Sequence, residues 1–364
     1  MSKIISIGTA VPEHHTKQSV ILEFMHAAYD NDVASRKLNA LFTHSGISSR
    51  YSVIPDFDKS KGEHIFFNGT PSKATIKNRL TVFEEKAVPL AMEAILNCFE
   101  KIDATADTFN ITHLITVSCT GISAPGIDSA IMKQLNLPDD IYHTSVNFIG
   151  CNAAFHALKI ADMITKTDDK ANVLVVCVEL CTLHFQPKND HDNLLSNTIF
   201  GDGAAAVIIR SDTYNNNNYP SLAINGFFSL LLNEGKNLMG WNVTPINFEM
   251  ILDSKIPEFI GDKVENILKR ASLKFNIFPE TISKWAIHPG GKKIVDTIKK
   301  ELQLNDEDMQ YSYKVLEEYG NMSSPTILFV LNELMQADHN KNETIFALGF
   351  GPGLSIETAL FSYA

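Results

Sequence analysis

The chain has 364 residues, 45% of them hydrophobic and 20% charged, which supplies a sizeable buried core and excludes disorder along its length. Thirty-one Lys and Arg against 42 Asp and Glu give a net charge of −11 with no basic block, which sets aside sequence-independent nucleic-acid binding. The longest apolar run, from Val173 to Cys181, falls well short of the ~18 residues of a membrane span and carries Glu179, so no membrane partner is expected.

From the N-terminus, Met-Ser-Lys-Ile-Ile-Ser-Ile-Gly8 reads as a strand entering a glycine turn. It lacks the long apolar stretch and cleavage site of a secretory leader, so a cytosolic location with reduced thiols is expected. Apolar runs of strand length follow at 111–118, 144–149, 171–178, 203–209, 285–287 and 344–348. Helical spacing of apolar residues marks 86–99, 153–164, 292–302 and 324–335. This alternation predicts an α/β fold of stacked helix and sheet layers. The asparagine-rich stretch 211–220 has loop composition and separates two halves of similar texture, at 1–210 and 221–364.

A weak internal repeat supports that division. Gly150-Cys-Asn-Ala-Ala154 opens a helix and Phe200-Gly-Asp-Gly-Ala204 leads into a strand. In the second half, Gly320-Asn-Met-Ser-Ser324 and Gly349-Phe-Gly-Pro-Gly353 take the same places. Two related halves would turn two helix N-termini toward one shared site.

Five cysteines without a Cys-x-x-Cys pair fit neither a disulfide framework nor a structural zinc, and no metal site is expected. Cys98 and Cys177 read as small buried hydrophobes. Cys151 differs: it follows a strand, a glycine precedes it, and a helix of small residues begins there. Unpaired N–H groups and the helix dipole would favour its thiolate, the context of a nucleophile. His288 ends a strand before Pro289-Gly290-Gly291, which lets another segment or a substrate come close. Asn321 by itself would read as an N-cap. Gly349-Phe-Gly-Pro-Gly353 precedes a strand near the end of the chain, so a dinucleotide-binding unit does not fit.

Together these pieces resemble the type III polyketide synthases, the family of chalcone and stilbene synthases and their microbial relatives. The matches run nearly end to end: Ile7-Gly-Thr-Ala10, Gly150-Cys151, Phe200-Gly-Asp-Gly-Ala-Ala-Ala206, His288-Pro-Gly-Gly291, Gly320-Asn-Met-Ser-Ser324 and Gly349-Phe-Gly-Pro-Gly-Leu354. From 151 to 288 is 137 positions and from 288 to 321 a further 33, spacings that also fit.

The resemblance implies a thiolase-like five-layer αβαβα fold with two pseudo-symmetric halves, assembled as a homodimer. It implies that Cys151 takes an acyl group from a thioester, that His288 keeps it ionised as an ion pair, and that His288 and Asn321 stabilise the enolate left when malonyl-CoA loses carbon dioxide. Iterative condensation and cyclisation to an acylphloroglucinol, alkylresorcinol or pyrone would follow, with no resident cofactor because the thioesters are substrates. Phe200 matches a gatekeeping phenylalanine. The second gatekeeper corresponds to Met250, or to Phe248 if the alignment slips by two. Pocket positions fall on Cys119, Thr120, Cys181, His184, Ser323 and Pro352, with Cys119, Cys181 and His184 standing where plant members carry threonines. The methionine that plant members extend into a neighbouring subunit is Ala124 here. Small Ala124 and flexible Met250 point to an aliphatic starter. Of three basic CoA-binding positions only Lys37 is kept, the others being Ala40 and His44, so the starter is expected from CoA or from an acyl carrier protein.

Three rival classes remain distinguishable. Cys-His-Asn order also describes papain-like proteases, but there the cysteine lies near the mature N-terminus, and disulfides are usual. A single-condensation ketoacyl synthase III-like enzyme of fatty-acid synthesis is the nearer alternative. A non-catalytic thiolase-fold binding protein would have no need of all three polar residues.

Overall fold

The computed structural model describes residues 1–58, 64–67, 74–211 and 220–364. Of the stretch 211–220 expected as a loop, positions 212–219 lie outside the described residues. In chain order the strands are β1 (Ser2–Ala10), β2 (His14–Lys17), β3 (Ser49–Ser52), β4 (His113–Ser118), β5 (Tyr142–Asn147), β6 (Asn172–Leu180), β7 (Asp202–Ser211), β8 (Leu222–Leu231), β9 (Met239–Val243), β10 (Phe248–Leu252), β11 (Lys284–Ile287), β12 (Thr344–Gly351) and β13 (Ser355–Tyr363). The helices are α1 (Gln18–Tyr29), α2 (Asp32–His44), α3 (Ile76–Glu100), α4 (Ala106–Phe109), α5 (Ile127–Gln134), α6 (Ala153–Thr167), α7 (His191–Ile199), α8 (Ile256–Phe275), α9 (Lys292–Glu301), α10 (Asp306–Tyr319) and α11 (Thr326–Gln336).

Nine strands form one sheet in the order β11-β12-β13-β8-β1-β7-β6-β4-β5. Each half contributes the same pattern, outermost pairs parallel and inner pairs antiparallel: β4 with β6 and β11 with β12 run parallel, while β6–β7, β7–β1, β12–β13 and β13–β8 run antiparallel. The halves join where Ser2 to Ile4 of β1 pair with Ile224 to Leu222 of β8. This is the internal repeat of the sequence in three dimensions.

Three apolar cores separate the layers. One packs α1, α3 and α5 on the outer face of β6 and β7 through Leu174, Val176, Val178 and Ile208. A second packs α6 and α11 between the inner faces of the two half-sheets, with Val173, Val175 and Cys177 on one side and Ile345, Ala347 and Phe361 on the other. A third packs α8 and α9 on the outer face of β11 and β12. The layering is αβαβα, as expected. Strand β6 is buried at all its 9 positions, which is why it reads as an unbroken apolar run rather than an alternating one. Helix α6 turns Ala153, Ala154, Ala157 and Ala161 inward, so a helix fits between two sheets.

Five expectations change. Strand β1 runs through Gly8 with no turn there and continues to Ala10. The strand expected at 144–149 is β5, two residues earlier, and the helix expected at 86–99 is the longer α3. Helix α6 starts at Ala153, so Cys151 stands in the turn ahead of the helix and Asn152 takes the cap position. Helix α11 starts at Thr326 with Pro325 at its N-cap, so Asn321 caps no helix.

Candidate active site

The turn carrying Cys151 is shaped by Gly150. Its φ of +96° is a left-handed conformation that favours glycine, and an added Cβ would stand 2.1 Å from Pro352 Cδ. Pro352 belongs to the Gly-rich loop between β12 and β13, so the nucleophile's turn rests against the opposite half of the fold. From the near side, the Gly150 N–H donates to Cys119 Sγ at 3.0 Å.

Asn321 reaches the same place from the other half. Its Oδ1 accepts from the Ser323 N–H at 2.8 Å, a local turn that leaves Nδ2 as the outward donor, and Nδ2 donates to the Gly290 carbonyl at 3.3 Å. Polar side-chain groups of Ser323 and Asn321 both favour the thiolate of Cys151. His288 follows β11, its N–H donating to the Leu348 carbonyl at 2.8 Å. Its ring lies against Gly290, is 1% exposed, and neither Nδ1 nor Nε2 has a partner. A buried imidazole with both nitrogens unbonded is costly unless a ligand completes it.

Burial dominates the electrostatics. It pushes the Cys151 thiol up to about 11, with the Ser323 hydrogen bond opposing it, and lowers His288 to about 4. Both shifts favour the uncharged form, thiol at Cys151 and imidazole at His288. The thiolate–imidazolium pair that the resemblance implies would form against that desolvation. Cys151 sits ahead of the cap rather than in the first turn, where the helix dipole acts most strongly.

A cleft of about 800 Å³, counted to its open mouth, extends from Cys151. Of the expected pocket residues, Cys119, Thr120, Cys181, His184, Phe200, Met250, Ser323 and Pro352 line it. Phe248 lines it too: Phe248 and Met250 are two apart on β10 and so face the same side, and the slip in alignment makes no difference to the wall. His288 and Asn321 are not among the lining residues. Ala124 is exposed on the loop before α5, and Lys37 is exposed on α2, both outside the cleft.

Several wall residues carried no sequence signal, among them Met25, Phe57, Trp241 and Asn193. Arg50 was also missed. It is 5% exposed, donates through Nε to Gln18 Oε1 at 2.9 Å, and bonds the Phe200 carbonyl through Nη1. Glu179 had a signal, as the one charge in the apolar run of β6. It is fully buried and accepts from the Ser324 hydroxyl at 2.6 Å, the Thr120 hydroxyl at 2.8 Å and the Cys119 N–H at 2.9 Å. Among the described residues no cluster of side chains could hold a metal ion.

Comparison with known proteins places these features in a family. Residues 1–213 match the N-terminal domain model of chalcone and stilbene synthases, and residues 228–363 match the C-terminal domain model. The chain is 29% identical to the alpha-pyrone synthesis polyketide synthase-like Pks18 of Mycobacterium tuberculosis, over 98% of this chain and 90% of that protein. It is also 29% identical to probable polyketide synthase 1 of Dictyostelium discoideum, covering 98% of this chain but 11% of that much longer protein. The crystal structure of the C-terminal type III polyketide synthase domain of Steely1, a type I/III hybrid from Dictyostelium, superimposes with a TM-score of 0.90 at 26% identity, covering 100% of this chain and 99% of that domain.

Proposed function

We propose, for a chain that belongs to the chalcone and stilbene synthase family and is a type III polyketide synthase, that Cys151 carries the acyl chain while His288 and Asn321 hold the enolate that extends it. The observation that carries this reading is the bare imidazole of His288, buried beside Gly290, to whose carbonyl Asn321 is bonded.

Loading begins from the neutral pair. As the thiol attacks a starter thioester, imidazole takes its proton and returns it to the departing thiolate, leaving an acyl-Cys151 thioester and a free carrier thiol. Malonyl-CoA then loses carbon dioxide. The negative charge develops on its thioester oxygen, where N–H groups of His288 and Asn321 are preorganised donors. The enolate carbon attacks the acyl carbonyl and expels the Cys151 thiolate, which regains a proton through His288. Transfer of the extended chain back to Cys151 permits the next round.

The starter we infer is aliphatic, since Met250 is flexible and apolar side chains dominate the wall. Delivery by an acyl carrier protein is favoured by the single basic residue, Lys37, near the expected CoA site, and by the similarity to a domain of a type I/III hybrid. No cofactor beyond the thioesters is required. Assembly as a homodimer is supported by β5, an edge strand with Tyr142 74% exposed and most of its residues open to solvent. No helix among the described residues is long and apolar enough to cross a membrane, and the cytoplasm is the proposed compartment.

The decisive assay incubates the full chain with malonyl-CoA and a panel of starters and weighs the products by mass spectrometry. Medium-chain acyl groups should outpace coumaroyl-CoA and yield products with more than one acetate unit. Cys151→Ala should abolish them, and surviving product would end the proposed role. Equal turnover with acyl-CoA and acyl-carrier starters would count against carrier delivery.

A further inference from the structure

One face of α7 looks into the cleft. Asn193, Ser196, Asn197 and the C-cap Phe200 stand at helical spacing, and all four line it. The two amides are tied down. Asn193 Nδ2 donates to both carboxylate oxygens of Asp190 at 3.0 Å, and Asn197 Nδ2 donates to the Tyr29 hydroxyl and the Gln186 carbonyl, each at 2.8 Å. Ser196 is not tied. Its Oγ is buried and has no partner among the described residues. A serine inside a helix can bond the carbonyl four residues back, as the Thr198 hydroxyl does to Leu194 at 2.7 Å, but Ser196 does not.

Arg50 reaches the same corner from β3. Its Nε donates to Gln18 Oε1 at 2.9 Å, its Nη1 bonds the Phe200 carbonyl, and its guanidinium carbon lies 5.9 Å from the centroid of the Phe42 ring. Gln18 is itself fixed, with Nε2 donating to the Thr198 carbonyl at 2.8 Å. Nη2, which carries two N–H groups, is buried with no partner among the described residues. Nor is any carboxylate of those residues bonded to this guanidinium. Asp202, whose charge acts on it, accepts instead from the Thr182 N–H and hydroxyl and from the Val53 N–H. Burial lowers Arg50 to about 9, so it is still a cation near neutrality.

A cleft with a mainly apolar wall thus keeps one buried cation and one hydroxyl that nothing in the protein satisfies. Each is costly unless a ligand supplies acceptor oxygens. The corner adjoins the chemistry: an added Cβ at Gly320 would stand 3.0 Å from Arg50 Cγ and Cδ, next to Asn321. A saturated acyl tail has no acceptor to offer. A chain extended from malonyl units carries carbonyls on alternate carbons, and the methylene between two of them is acidic. Once its proton has passed to water, the enolate spreads one negative charge over two oxygens, a planar fork that a guanidinium matches as it matches a carboxylate.

We propose that Arg50 and Ser196 form a subsite for the 1,3-dicarbonyl segment of the growing chain, the Nη2 hydrogens and the Ser196 hydroxyl donating to its enolate oxygens. The inference rests on the polyketide reading above and names what the cleft recognises in the chain which that reading makes.

The test uses the full chain with pentane-2,4-dione as probe, followed by ultraviolet difference spectra at pH 7, since the enolate absorbs at longer wavelength than the enol. Binding should be saturable, should reverse on dialysis and should raise the enolate band above that of the free probe. 3,3-Dimethylpentane-2,4-dione, which has no hydrogen on the carbon between its carbonyls, should bind about tenfold more weakly, the loss of a charge-assisted bond. Ser196→Ala should weaken binding of pentane-2,4-dione about fivefold, the net worth of one hydrogen bond. Arg50→Gln, which removes the charge, should abolish the enolate band. Thermal melting checks each variant, and should Arg50→Gln not fold, Ser196→Ala and the dimethyl probe decide. No saturable binding by the parent, tighter binding of malonate than of the dione, or equal binding by the parent and Ser196→Ala overturns the proposal. If the dione binds as expected while malonyl-CoA and decanoyl-CoA give no condensed product, the polyketide reading fails and the dicarbonyl site stands. Condensed product without dione binding sinks the subsite alone.

Discussion

Phe200 and Asn321, from opposite halves of the chain, pair as an isolated parallel bridge. The Asn321 N–H donates to the Ile199 carbonyl at 2.9 Å, and the Gly201 N–H donates to the Asn321 carbonyl at 3.0 Å. Phe200, expected as a gatekeeper, and Asn321, proposed as an enolate donor, are therefore held by one short piece of backbone pairing. Neither can shift without the other, and four further consequences of the site's construction can be measured.

Gly320 makes that bridge possible. Its φ is +69°, and a Cβ there would stand 2.7 Å from the Ile199 carbonyl oxygen. Gly320→Ala should destabilise the fold by roughly 1–3 kcal/mol, read from denaturant unfolding, and should reduce turnover in the fraction that stays folded. An unchanged midpoint would show that the bridge yields easily.

Asn321→Ala removes one of the two donors proposed for the enolate. Malonyl-CoA decarboxylation should fall about 10²–10³-fold, the cost of losing an oxyanion donor. Acyl loading of Cys151, followed by intact-mass spectrometry, should fall far less. Equal losses in both steps would mean that Asn321 acts on the cysteine rather than on the enolate.

Because burial holds the Cys151 thiol at about 11, little thiolate exists near neutrality. Alkylation by iodoacetamide should then accelerate about tenfold per pH unit between roughly pH 7 and 9, since only the thiolate reacts. A plateau in that window would reveal a thiolate–imidazolium pair instead.

Burial raises the Glu179 carboxyl to about 7 against an ordinary 4.5, so the folded chain holds this proton more tightly than the unfolded one. The associated stability is complete below the ordinary carboxyl range and is lost as pH rises through about 7. Glu179→Gln keeps the shape without the charge. Its stability relative to the parent should therefore improve from pH 5 to pH 8, by up to on the order of 3 kcal/mol. Asp202, also raised, to about 6, is common to both proteins and cancels in the difference. A difference that stays flat with pH would remove Glu179 as the titrating group.

Much of the site was legible before any coordinates because catalysis and turns constrain residue type locally. Cys151 after a glycine and His288 before Pro-Gly-Gly each announce themselves within a few positions, whereas Asn321 reads locally as an N-cap and gains a role only through the family resemblance. Glu179 was visible as a charge in an apolar strand but had no partner to interpret it, since Ser324, which bonds it, lies in the other half. Arg50 and Trp241 had no local signature at all; only their neighbours in space make them part of the site.

From residue order alone came the layered α/β class, the repeat between the two halves and the candidacy of Cys151 and His288, because periodicity, turn residues and short motifs are properties of adjacent positions; Asn321 joined them only through the family resemblance. Tertiary structure supplied the desolvation that disfavours charge on Cys151 and His288, because burial depends on everything packed around them. It also decided that His184 and Phe248 share one cleft wall, since the bond between them exists only once the two halves have met.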